Sequence, residues 1–176
     1  NHDNGLLEIE DYYGATPLLA AIEFRQFEIV HFLLDLGANA LAITNEGLTT
    51  LSLSCREGAD LRLVRRLLAA GVAVDAHDDF HRTALHHAAM SCNTAVVSEL
   101  VIEHNANMLA GDDNEETPFD LATNSDSADG RYALLIESYG NILAQEHGRF
   151  ALHAVLAAAE YSFAIDDEFH PPLNPL

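Results

Sequence analysis

Lysine is absent from this chain. All eight basic residues are arginines, and 28 carboxylate side chains leave a formal charge of -20 over 176 residues. So acidic a molecule repels nucleic-acid phosphates and anionic membrane surfaces, and attracts basic partners over a Debye length. Nucleic-acid binding is therefore excluded as an expectation, although the same acidity also serves solubility or adaptation of a whole proteome to salt. Cysteine is scarce. Cys55 and Cys92 form neither a CxxC pair nor an even-numbered secreted framework. They read as buried, reduced thiols of a cytoplasmic or nuclear protein that is not secreted. No apolar run approaches the length of a membrane span, so no insertion is expected, and the polar start NHDNG is no signal peptide. An initiating methionine is missing too, as expected of an excised or processed piece.

What is present is a core in instalments. Hydrophobic residues make up 49% of the chain, enough for one domain or one repeat array. The stretches GATPLLAAI (14–22), GLTTLSLSC (47–55), HRTALHHAA (81–89), EETPFDLAT (115–123) and GRFALHAVL (148–156) align, with starts 33, 34, 34 and 33 residues apart. After each of the first four comes a short polar break and a second apolar stretch: FEIVHFLLDLG (27–37), LRLVRRLLAAG (61–71), TAVVSELVIEHN (94–105) and RYALLIESYG (131–140). Gly37, Gly71, Asn105 and Gly140 close them and suit a left-handed helix C-cap. Ile29, Val30, Leu33 and Leu34, then Leu63, Val64, Leu67 and Leu68, recur at helical spacing and commit one face of each helix to a core. Pro17 and Pro118 fit a first helical turn, where a missing N–H costs nothing, and Thr16 and Thr117 before them fit N-caps.

With these openings and glycine endings the sequence resembles the ankyrin repeat family. The resemblance implies an all-α, ankyrin-type helical repeat solenoid, in which helix-turn-helix units carry projecting β-turn fingers. It divides the chain into a lead-in (1–10), four repeats (11–143), a partial fifth repeat or capping helix (144–163) and a proline-rich tail or linker (164–176). Departures from the pattern are local. One extra residue falls near Ala59 and another near Glu103, and 124–130 is lengthened and polar. His81 and Glu115 stand where the turn expects glycine, and Phe150 replaces the threonine of the fifth opening.

The cluster His77, Asp78, Asp79, His81, Arg82, His86, His87 has the composition of a metal or catalytic site. His86, however, occupies the slot held by Leu19, Ser52, Asp120 and His153 in the other units, a framework position that the family satisfies with local hydrogen bonds. His87 falls on the same first helix, where neighbours point about 100° apart and cannot easily share one ion. No bound metal or cofactor is expected. Catalysis has no better foothold, since no nucleophile elbow and no phosphate-binding glycine loop occurs. Asp112, Asp113, Glu115 and Glu116 fall in a turn and read as solvated charge.

Surface remains. The resemblance implies binding on the concave side made by fingers and first helices. Its contact positions fall at Tyr12, Tyr13, Glu23, Phe24, Asn45, Glu46, Leu48, Arg56, Glu57, Asp79, Phe80, Arg82, Met90, Ser91, Asp113, Asn114, Glu116, Asn124 and Ser125. Tyr12, Tyr13, Phe24, Phe80 and Met90 form an aromatic and apolar series of the kind that anchors interfaces, although Phe24 and Met90 also suit packing against a neighbouring helix. Arg62, Arg65 and Arg66 form the basic cluster of the second unit, a solvated outer face or a second docking patch. The expectation is a non-enzymatic protein–protein interaction module, a scaffold, adaptor or regulatory domain whose partner carries a basic surface. Two alternatives stand beside it: a regulatory segment of a larger enzyme, and a metal-responsive protein using the histidines of 77–87.

Overall fold

A computed structural model describes residues 4–124. The second stretch of the fourth unit, the partial fifth repeat, the tail and Ser125 lie outside these described residues. A short 3-10 turn, Asn4–Glu8, leads into α1 (Pro17–Glu23) and α2 (Phe27–Asp35). Then follow α3 (Thr50–Arg56) with α4 (Leu61–Ala69), α5 (Ala84–Met90) with α6 (Thr94–Ser98), and α7 (Pro118–Asn124). These seven α-helices, the 3-10 turn, a π-helical stretch after α6 and two isolated β-bridges, Ile43 to Thr49 and His77 to Thr83, are the regular structure of the described residues, which contain no sheet. The first helices α1, α3 and α5 each pack on the second helix of their own unit, and the first helices stack in a row, α1 on α3, α3 on α5 and α5 on α7.

The helix starts follow the capping chemistry. Thr16 accepts from the Leu19 N–H at 3.3 Å, Thr49 from Ser52 at 3.1 Å and Thr117 from Asp120 at 3.3 Å. Pro17 and Pro118 open α1 and α7 as expected. Gly37, Gly71 and Asn105 hold φ of 91°, 93° and 53°, the left-handed ends predicted for the second helices.

Both extra residues have a structural place. In the second unit the interhelix loop is longer by one, Ala59 is buried within it, and Asp60 caps α4 by accepting from Leu63 at 3.0 Å. In the third unit α6 continues as a π-helix, Glu99–Glu103, whose wider turn absorbs the residue without moving the Asn105 cap out of phase.

The core is a column of leucines. Leu18, Leu51 and Leu85 sit at one position of successive first helices, with Ile22, Leu63, Leu67 and Leu100 beside them, all essentially without solvent exposure. One expectation is corrected: Ile29 is 49% exposed, whereas its counterpart Leu63 is at 0%. Among the described residues no helix pair stacks on the outer side of α2.

His81 and Glu115 keep the turn that glycine makes elsewhere. Their φ values of 58° and 62° match the 75° of Gly14 and Gly47, and the same N–H to carbonyl bond closes each turn, 3.0 Å from His81 to Asp78 and 2.9 Å from Glu115 to Asp112. A side chain in this region carries a steric penalty that glycine avoids. Glu115→Gly should therefore stabilise the chain by about 0.5 to 1 kcal/mol. Gly47→Ala should destabilise it by about 1 to 2 kcal/mol or more, because the new Cβ would also lie 2.8 Å from Asp79 Oδ1. Urea midpoints that move in the same direction for both variants would contradict this account.

Candidate protein-binding face

Each finger is built around one oxygen. Asp11 Oδ1 accepts from the N–H groups of Tyr13 and Ala15, Thr44 Oγ1 from Glu46 and Leu48, Asp78 Oδ1 from Phe80 and Arg82, and Asp112 Oδ1 from Asn114 and Glu116. These braces turn the backbone so that the next two side chains stand at the tip. Neighbouring fingers are then tied together. The Asp79 N–H donates to the Glu46 carbonyl at 3.0 Å, the Asp113 N–H to the Phe80 carbonyl at 3.1 Å, and the Asn45 amide to the Tyr13 carbonyl.

Asp78 and Asp112 are thus buried framework groups, which corrects the expectation of solvated charge for Asp112. Burial works against the Asp112 charge, but the Asn114 and Glu116 N–H groups and Arg82, 3.1 Å away, outweigh it and hold the carboxyl below its ordinary range. The signal was present in the sequence, since 11, 44, 78 and 112 stand 33, 34 and 34 apart.

The paired histidines are internal fasteners. The Thr83 N–H donates to His86 Nδ1 at 3.0 Å, and His86 Nε2, the protonated nitrogen in this arrangement, reaches the Glu116 carbonyl of the next finger at 3.2 Å. His87 Nε2 lies 2.9 Å from Asp78 Oδ2, so one carboxylate braces the third finger and holds the helix behind it. Burial pushes both imidazoles below the usual histidine range, the bonds to Glu116 and Asp78 offsetting only part of it. Among the described residues no three His, Cys, Asp or Glu side chains are grouped as metal ligands.

Fingers and first helices together bound two adjoining grooves. The first, about 610 Å³, is lined by Tyr12, Tyr13, Glu23, Phe24, Asn45, Glu46, Leu48 and Arg56 among others. The second, about 360 Å³, shares Glu46, Leu48 and Arg56 and adds Asp78, Phe80, Arg82, His87, Met90 and Ser91. Arg56 straddles the two, bonded to Glu46 at 3.5 Å and Glu57 at 3.1 Å.

Most of the expected contact residues gather here, and several do not. Tyr12 is 95% exposed, and Tyr13, Phe24, Phe80 and Met90 are also exposed, so Phe24 and Met90 are not consumed by helix packing. Leu48 is corrected: at 2% exposure it supports both grooves from within the core rather than presenting a surface. Asp79 and Asp113 stand exposed at finger tips outside the grooves, Asp113 bonded to His81 at 2.6 Å. Glu116 is half-buried, and its carbonyl is taken by His86. On the second helices Arg65 makes a two-pronged pair with Glu99 at 2.7 Å and Arg66 bonds Asp35 and the His31 carbonyl, while Arg62 is exposed.

Comparison with known proteins agrees with this architecture. The family described as ankyrin repeats, in three copies, matches residues 51–146, and a single ankyrin repeat matches 13–45. Palmitoyltransferase ZDHHC17 of Danio rerio is 48% identical over 59 residues, covering 33% of this chain and 9% of that protein. NF-kappa-B inhibitor delta of Mus musculus is 32% identical over 108 residues, 60% of this chain and 33% of that one. The chain thus spans a third or less of the length of these relatives. No helix among the described residues is long and apolar enough to cross a membrane. Ankyrin repeats are protein–protein interaction modules, and protein partners are what the family matches imply. Since successive stretches of sequence fold into the same helix pair behind the same braced finger, and the matched stretch alone exceeds half of the residues, the chain belongs to the ankyrin repeat family.

Proposed function

We propose that this chain recognises a partner protein through its fingers and first helices, with Tyr12, Tyr13, Phe24, Phe80 and Met90 as apolar anchors and the surrounding carboxylates guiding approach. The observation that carries the proposal is the exposure of these five large side chains along two adjoining grooves whose framework polar groups are already satisfied. Exposed aromatics in a concave setting gain most when a partner desolvates them. A cytoplasmic or nuclear setting belongs to the same proposal, supported by two unpaired cysteines, one of them, Cys55, buried with its thiol pushed up to about 12 by burial.

The test is capture from a lysate with the native chain and with a Tyr12→Ala, Tyr13→Ala, Phe80→Ala variant, followed by equilibrium binding of whatever the native chain retains. The variant should bind about 1 to 3 kcal/mol more weakly with an unchanged melting temperature, because exposed anchors contribute to binding and little to folding. Equal affinity would move the interface to the second-helix side, where exposed Arg62 is the next candidate. A second reading, the same module serving as the regulatory segment of a longer enzyme, is favoured by the match to a palmitoyltransferase. The full open reading frame distinguishes the two.

A further inference from the structure

We infer that the two grooves together take an extended partner segment carrying an arginine or lysine and, three residues away, a large apolar side chain. The basic residue occupies the first groove and the apolar one the second. This rests on the proposed use of the finger and first-helix face.

The first groove is built for a cation. Its lining holds three carboxylates, Asp11, Glu23 and Glu46, against one guanidinium, Arg56; Arg56 pairs with Glu46 and with Glu57, which leaves the charges of Asp11 and Glu23 in excess. Beside them stand the exposed rings of Tyr13 and Phe24. A cation over an aromatic face is attracted by the ring quadrupole, and adjacent carboxylates add charge-assisted hydrogen bonds. The wider molecule, at -20, attracts such a segment from a distance.

The second groove differs in kind. It already contains its own cation, since the Arg82 guanidinium carbon lies 5.9 Å from the Phe80 ring centre. Its charges balance, with Glu46 and Asp78 facing Arg56 and Arg82, and Asp78 is engaged by His87. What it offers a visitor is the exposed apolar surface of Phe80 and Met90. An apolar side chain fits there without stranding a charge.

The spacing follows from the helix row. The grooves are displaced by one step of the α1, α3, α5 stack, and packed helices stand about 8 to 10 Å apart. An extended chain of the polyproline II type advances about 3.1 Å per residue with three residues per turn, so side chains three apart share one face and cover one step.

A library of random displayed peptides selected on the 176-residue chain at about 0.15 M salt tests this. Selected peptides are then synthesised and measured by fluorescence anisotropy against the native chain and two variants. One carries Tyr13→Ala, Phe24→Ala and Glu23→Gln; the other carries Phe80→Ala and Met90→Ala. All five side chains are exposed, and melting curves check that both variants fold. The expected peptides pair Arg or Lys with Leu, Ile, Met or Phe three positions away. Changing the basic residue to Gln should weaken binding to the native chain by roughly tenfold and leave binding to the first-groove variant unchanged. Selected peptides without a basic residue, or an equal Gln effect on native chain and first-groove variant, overturn the inference. If such peptides still lose affinity for the Phe80→Ala, Met90→Ala variant, the face is right and the basic class is wrong. If neither variant alters binding, the face itself is wrong.

Discussion

Replacing Leu85 by alanine should lower the unfolding free energy by about 3 to 5 kcal/mol, and Leu51→Ala by a similar amount. Both side chains are fully buried, and the helices that carry them are covered on two sides of the row, α3 by α1 and α5, α5 by α3 and α7. The space left by a truncated leucine there cannot close, since the surrounding side chains come from separate helices held by their own caps and fingers. Leu18, on α1 at the edge of the described row, has one stacked neighbour and the Asn4–Glu8 turn around it. Its surroundings relax more easily, so Leu18→Ala should cost about 2 to 3 kcal/mol, the lower part of the range. Urea unfolding of the three variants measures the differences. Losses below about 1 kcal/mol at both Leu51 and Leu85 would mean that the stacking register is wrong.

Asp78→Ala should cost about 3 to 4 kcal/mol, through a different mechanism. Three buried or half-buried donors depend on that carboxylate: the Phe80 and Arg82 N–H groups, both at 2.9 Å, and His87 Nε2. Alanine leaves all three without a partner in a place that water enters poorly. Asp11→Ala removes the same two backbone bonds from the first finger, but there the groups are exposed and water replaces the lost acceptor. About 1 kcal/mol is expected, and equal losses at the two positions would refute the burial argument. The histidines add a pH term. Because His86 and His87 hold folded pKa values below the unfolded value of about 6.5, their contribution is complete above that pH. It is lost as pH falls from about 6.5 through the folded values, since the unfolded chain takes up protons that the native chain refuses. Each proton removes up to about 1.4 kcal/mol per pH unit. In an NMR titration both imidazoles should reach half-protonation below about pH 6.5; a midpoint at or above it would contradict the lowered values.

The helix pairs were legible in the sequence because they rest on short-range rules: the period, the apolar spacing, Thr-Pro at the starts of α1 and α7, and glycine or asparagine at the ends. The extra residue near Glu103 was legible as an insertion, but its form as a π-helix depends on keeping both Asn105 and the leucine column in phase. The face was partly legible. Tyr12, Tyr13 and Phe80 declared themselves as large apolar residues in turns, whereas Leu48, two residues beyond a tip, turns inward, and pattern alone does not show that. The double duty of Asp78 and the reach of His86 into the next finger are contacts 9 and 30 residues apart in sequence. A histidine-rich composition carries no sign of such geometry, which is why it suggested a metal site. Ile29 was misjudged because periodicity identifies a face suited to burial without telling whether anything lies opposite.

Two of the ties between fingers run from peptide group to peptide group, Glu46 with Asp79 and Phe80 with Asp113. Backbone groups that every amino acid but proline supplies make those two ties, and the oxygens that shape each finger sit behind the tip, at 11, 44, 78 and 112. The side chains at 46, 79, 80 and 113 take no part in these peptide links, and the contacts they do make are exposed or partly exposed. Mutational drift can rewrite them at small cost. An ancestral gene of this design could change allegiance from one ligand to another through a few substitutions, each nearly neutral for folding, so that divergence among descendants concentrates on the tips while the oxygens behind them stay fixed.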